Sequence, residues 1–168
     1  KDNIAIIGVI KDGDWPTMDG EHTMNDAILY SGNGFRVENM KIVHYKGNAI
    51  MGQAGNNFVI RHNWIKDTGV YGIFPQLGMN GLIEYNVVRD TIGYGMQVKR
   101  QAAWGTVPAG MPTGKSTTII RHNVFAKSGN SSTGDLARLN LLVGDCPPSG
   151  AGSSNDFAIY GNLLYENP

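Results

Sequence analysis

Ile60-Arg61-His62-Asn63-Trp64-Ile65 is one of five copies of a single segment. The others are Val37-Glu38-Asn39-Met40-Lys41-Ile42, Ile83-Glu84-Tyr85-Asn86-Val87-Val88, Ile120-Arg121-His122-Asn123-Val124-Phe125 and Ile159-Tyr160-Gly161-Asn162-Leu163-Leu164. Each opens and closes on an apolar residue and carries Asn at its fourth place, except that the earliest copy has Met40 there. Ten residues past Met40, Asn63 and Asn86 stands a second apolar strand centre, at Ile50, Ile73 and Met96, with Ile28 one period earlier. The intervals in that series are 22, 23 and 23 residues. A fixed period of twenty-odd residues is the signature of a solenoid, whose repeats bury their apolar faces only against one another.

Residues 57–80 show how one coil is written. Phe58, Ile60 and Asn63 are expected to point inward and Arg61 outward, by the alternation of a strand. A turn is expected at Asn63-Trp64, because Asn tolerates left-handed backbone and its amide bonds locally. Trp64 to Lys66 reads as a second strand, Asp67-Thr68-Gly69 as a turn, and Tyr71 to Pro75 as a third strand centred on Ile73. Stacking such coils predicts a ladder of Asn63, Asn86, Asn123 and Asn162, amide on amide, each buried polar group finding its partner one coil away. Met40 is expected to end that ladder. Glu38, Arg61, Glu84 and Arg121 fall on one outer row with alternating sign, a cross-strand charge ladder that favours correct register. Asn39, His62, Tyr85 and His122 form the next row, read as stacked, solvated side chains. Asp67 and Asp90 occupy equivalent turns.

Three short strands and three turns per coil, the Asn series and the G-V-Y-G-I element of Gly69 to Ile73 resemble the right-handed parallel β-helix of the pectate-lyase-like superfamily. The opening stretch from Ile7 to Gly20 is similar to the first coil of secreted bacterial proteins of this kind. The resemblance spans nearly the whole chain. It implies an all-β solenoid of about six coils, in one domain over 1–168, expected to be part of a longer solenoid. It further implies a secreted, periplasmic or cell-surface protein that contacts polysaccharide. Fold alone does not select an activity. The leading reading is lyase or epimerase action on an acidic, uronate-containing polymer; the alternative is a non-catalytic adhesin, fibre or assembly module.

The interval from Asn86 to Asn123 is 37 residues and that from Asn123 to Asn162 is 39. Two coils therefore carry insertions, at residues 99–117 and about 144–156, and insertions in a solenoid map to loops on one face, often the binding face. In polysaccharide-active members of the superfamily the groove follows the third-strand sheet. Gln53, Phe74, Gln76, Gln97, Trp104, Arg138 and Asn140 are the expected substrate contacts: amides bond hydroxyls as donor and acceptor, an indole stacks on a sugar face, and Arg grips a carboxylate as a fork. Lys99 and Arg100 are the candidate catalytic residues. No cofactor is expected: calcium would want six to eight oxygens, and these strands offer no acidic cluster. No metal site is assigned, since His62 and His122 have too few companions for zinc.

The bulk composition agrees with this picture. There are 23 Gly in 168 residues, and only 17% of residues are charged, which suits short strands joined by tight turns. Fourteen basic residues balance fourteen acidic ones, which argues against a nucleic-acid binder with its basic stripe. No apolar run approaches the length of a membrane span. The lone Cys146 reads as an inert loop thiol, having no partner at metal or disulfide spacing. End-to-end or lateral self-association is the remaining expected partnership.

Overall fold

The computed structural model describes residues 1–98, 116–129, 139–144 and 155–166, and every regular element among them is a β-strand. The strands form three parallel sheets. The first stacks β1 (Ala5–Ile7), β4 (Arg36–Glu38), β7 (Val59–Arg61), β11 (Leu82–Glu84), β14 (Ser116–Arg121) and β17 (Asn155–Tyr160). The second stacks β2 (Thr17–Asp19), β5 (Lys41–Tyr45), β8 (Trp64–Thr68), β12 (Val87–Arg89), β15 (Val124–Ala126) and β18 (Leu163–Tyr165). The third stacks β3 (Ile28–Ser31), β6 (Ile50–Asn56), β9 (Ile73–Pro75), β13 (Met96–Val98) and β16 (Leu141–Val143), while β10 (Gly78–Met79) pairs with the far end of β6. Successive coils, with every strand but β10 paired to its equivalent one coil away, make a parallel β-helix solenoid.

Register follows the repeat. Ile28 pairs with Ile50, Ile50 with Ile73, and Ile73 with Met96. Val37, Ile60, Ile83 and Ile120 line up in the first sheet, and Ile42, Ile65, Val88 and Phe125 in the second. These rows converge on a core of which most members are under 2% exposed. A one-residue slip would turn every such row toward solvent, so burial itself enforces register.

The Asn ladder forms, with its geometry differing in one respect from expectation. The left-handed residue of each corner is the one before the ladder Asn: Asn39, His62, Tyr85 and His122 have φ between 54° and 58°, and Gly161 has 65°. This frees Asn63, Asn86 and Asn123 to turn their amides inward, where they are at most 1% exposed. Asn86 Oδ1 accepts from the backbone N–H and the Nδ2 of Asn63, both at 3.0 Å. Asn86 Nδ2 donates forward to Asn123 Oδ1 at 3.0 Å and back to Ile60 O at 2.9 Å. Asn123 and Asn162 repeat the pattern. Met40 ends the side-chain ladder as expected, yet its backbone N–H still donates to Asn63 Oδ1 at 3.1 Å. Each interior ladder amide bonds the coil on either side of it, accepting from one and donating to both.

The charge row is less exposed than its alternation suggests. Glu38 and Glu84 are 7% and 4% exposed. Glu38 receives Arg36 Nε at 2.9 Å and lies 2.9 Å from Arg61 Nε; Glu84 receives Arg121 Nε at 2.7 Å, and Arg121 reaches on to the Tyr160 hydroxyl at 3.1 Å. Burial pushes the Glu38 carboxyl up, but hydrogen bonds from Arg36 and Arg61 outweigh it, and its pKa lies below the usual value. A carboxyl with a lower pKa in the folded than in the unfolded chain stabilises the fold above the unfolded pKa, and that stabilisation fades as pH falls through the folded value. The thermal midpoint of Glu38→Gln is therefore expected to trail that of the parent most at neutral pH, with the gap closing below about pH 4. A gap of constant size across that range would contradict this account.

Candidate functional site

The third sheet presents an outer row of Leu29, Met51, Phe74, Gln97 and Leu142, opposite in facing to the core row. Leu29 is 55% exposed, but Phe74 is only 9% and Gln97 only 4% exposed. Asn140 is 2% exposed, and its Nδ2 donates to the backbone oxygen of Tyr165 at 3.0 Å. At these three positions the side chains are covered by the rest of the protein. Gln53 is exposed and Gln76 half-buried, so both keep access to solvent. Lys99, Arg100, Trp104, Arg138 and Cys146 lie outside the described residues, as do residues 99–115 and 145–154 of the two insertions.

The second sheet carries a constellation that the repeat pattern did not single out. Thr17 pairs with Lys41, and Lys41 with Trp64. Trp15 stands just before β2, so it joins Lys41 and Trp64 around a cleft of about 240 Å³. Lys41 Nζ lies 5.1 Å from the centroid of the Trp64 ring, a cation–π distance. Trp15 is 37% exposed, and Lys41 and Trp64 are half-buried. Two residues along β8 is the half-buried Lys66, whose register partner is Arg89. Arg89 in turn lies 3.2 Å from Glu166. The outer face of this sheet thus places Lys41 and Lys66 beside the two indoles, with Arg89 next in register and paired to Glu166. Trp15 and Trp64 are far apart in sequence, and only coil register unites them. The available signal was compositional: Lys41 and Trp64 stand in a row whose later members are Val87, Val124 and Leu163.

At the opposite end of the same strands lies a second cluster. His44 falls near the end of β5 and Asp67 near the end of β8, adjacent in register because Val43 pairs with Lys66 and Tyr45 with Thr68. His22 comes from the turn after β2. One donor atom from each of His22, His44 and Asp67 lies within 4.8 Å of the others. His44 Nδ1 is 3.0 Å from Asp19 Oδ1. The backbone N–H of Glu21 and the His44 ring together hold the Asp19 carboxyl below its usual pKa. His62 and His122, the pair the sequence brought forward, stand on either side of Tyr85, each with ring centroids 5.1 Å from it. They form the expected stacked surface row, and the intervening ring bars them from sharing an ion.

Of the two equivalent turn acids, Asp90 ties its turn to the following coil. Its Oδ1 accepts from the backbone N–H of Ser128 at 2.7 Å and the Ser128 hydroxyl at 2.9 Å. Below it, burial pushes the Lys127 ammonium down to about 8, opposed by the Asp90 charge. Lys127 Nζ donates to the backbone oxygens of Thr91 and Gly93, which makes it an internal tie between coils.

Among the described residues no helix is long and apolar enough to cross a membrane. Comparison with curated proteins and with solved structures returns no match. The family profile described as a right handed beta helix region matches residues 16–125, more than half of the chain. With three stacked parallel sheets and the Asn ladder on the same residues, the chain belongs to the right-handed β-helix family.

Proposed function

We propose that this β-helix binds an acidic polysaccharide along the outer face of its second sheet, with the Trp15–Lys41–Trp64 cleft seating one sugar ring. The carrying observation is that cleft, with two partly open indoles flanking an ammonium group. An indole offers a flat apolar face with a polar N–H edge, which suits a sugar ring that is apolar on one face and hydroxylated at its rim. Lys41 and Lys66 supply positive charge for carboxylates. Successive strands advance by about 4.8 Å, so a straight polymer meets a new set of side chains at every coil. Gln53 and Gln76 on the third sheet, and Lys99, Arg100, Trp104 and Arg138, are not contacts that this binding reading needs. Any eliminative or epimerising chemistry rests on Lys99 and Arg100. Such a ligand places the protein outside the cytoplasm, as a secreted, periplasmic or cell-surface protein.

Affinity electrophoresis tests the reading. Migration is expected to be retarded in gels containing alginate or polygalacturonate, released by added salt as exposed charge pairs are screened, and unchanged by a neutral glucan. Unaltered mobility in every uronan, or equal retardation by the neutral polymer, would remove the proposal. A rise in ultraviolet absorbance from an unsaturated product, lost in Lys99→Ala, would add lyase activity to binding.

A further inference from the structure

We propose that His22, His44 and Asp67 form a site for a divalent first-row transition-metal ion, zinc above all, with Asp19 positioning His44. Two imidazoles and one carboxylate are the donor set of zinc and its neighbours, whereas calcium and magnesium take oxygen ligands alone. With His44 Nδ1 donating to Asp19 at 3.0 Å, the ring nitrogen left with a lone pair is Nε2. A carboxylate behind a ligating histidine is the usual support of such sites: it fixes the tautomer and strengthens the ligand. Asp67, at 4% exposure, provides the buried anion, while His22 is exposed and opens the site to solvent. Bonds of about 2.1 Å at tetrahedral angles place donors roughly 3.4 Å apart, so an ion would have to draw the cluster in from its 4.8 Å limit, and the exposed His22 is the ligand with most room to adjust.

The backbone holds these donors in advance of any ion. His22 N–H donates to His44 O at 2.8 Å, Gly20 N–H to Val43 O at 3.0 Å, and Gly69 N–H to Tyr45 O at 2.8 Å. The three donors sit at φ of 56°, 58° and 61°, and Glu21 beside His22 has 49°. Left-handed corners recur through the coils, at Asn39, His62, Tyr85, Asp90 and His122 among others, so this conformation sets where the three donors stand without marking them as a site. Three protein donors leave an outer position for water or for an oxygen of a ligand, the arrangement of sites that do more than staple a fold. The cluster shares its strands with the indole cleft, yet the site stands without the carbohydrate reading.

The test is titration of the chelator-treated chain with Co²⁺ and Zn²⁺, read by cobalt d–d absorption, calorimetry and thermal midpoint. One ion per chain is expected, with a rise in midpoint because only the folded chain holds all three donors. His22→Asn and His44→Asn keep a residue that tolerates left-handed backbone and are each expected to weaken binding by about a hundredfold or more, while Asp19→Asn weakens it by about tenfold. The paired change His62→Asn with His122→Asn is expected to leave stoichiometry and affinity alone. Should His44→Asn fail to fold, the exposed His22→Asn still decides the matter. Absence of a stoichiometric site, affinity unchanged in His22→Asn, or affinity lost with His62 and His122 would each overturn the proposal.

Discussion

Asn86→Ala is expected to lower the unfolding free energy by about 3–5 kcal/mol, the sum of several buried groups left unpaired at about 1–3 kcal/mol each. The side chain is wholly buried and makes four hydrogen bonds. Its loss strands the backbone N–H of Asn63, removes one partner from Asn63 Nδ2 and Asn123 Oδ1, and leaves Ile60 O without this donor. Asn162→Ala, at the half-buried end of the row, removes a similar set of bonds where water can replace them, and is expected to cost markedly less. Urea unfolding of both variants measures the difference. Equal losses, or a loss below about 1 kcal/mol at Asn86, would mean that the ladder follows the fold rather than holding it.

Trp64→Ala is expected to weaken uronan binding by about tenfold or more, the change of ~1.4 kcal/mol or above typical of a buried aromatic anchor. Lys41→Gln is expected to weaken it less and to reduce its sensitivity to salt, because it removes one charge and leaves the indole. Both side chains face outward while Ile42 and Ile65 beside them fill the core at 0% exposure, so thermal midpoints are expected to hold within a few degrees. A Trp64→Ala protein of unchanged midpoint and unchanged affinity would place the ligand elsewhere.

The fold was legible because solenoid stacking writes one coil's requirements again in the next. Ile28, Ile50, Ile73 and Met96 carry both the period and the register, and Asn63, Asn86, Asn123 and Asn162 announce an interior amide that only stacking can satisfy. The corner geometry was read one residue late: Asn is the familiar left-handed residue, yet here His62 and Tyr85 take that conformation and free the Asn amide for the ladder. Strand alternation correctly separated the outer row of the third sheet from the core, but alternation reports facing, not coverage, and Phe74 and Gln97 face outward while buried. The second-sheet cleft was hidden for a different reason. Trp15, Lys41 and Trp64 belong to three coils, and so do His22, His44 and Asp67. Apart from Asp67, whose equivalent is Asp90, their members do not repeat along the chain, so a search for repeats passes over both groups.

The most direct test of the carbohydrate site is a tryptophan fluorescence titration with a uronate oligosaccharide. The chain has three tryptophans, Trp15, Trp64 and Trp104, so each can be replaced by Phe in turn. The ligand is expected to quench the parent and Trp104→Phe alike, and to lose most of its effect in Trp15→Phe and Trp64→Phe. Quenching that survives in those two variants and disappears in Trp104→Phe would move binding to the inserted loop after the third sheet and contradict the second-sheet site.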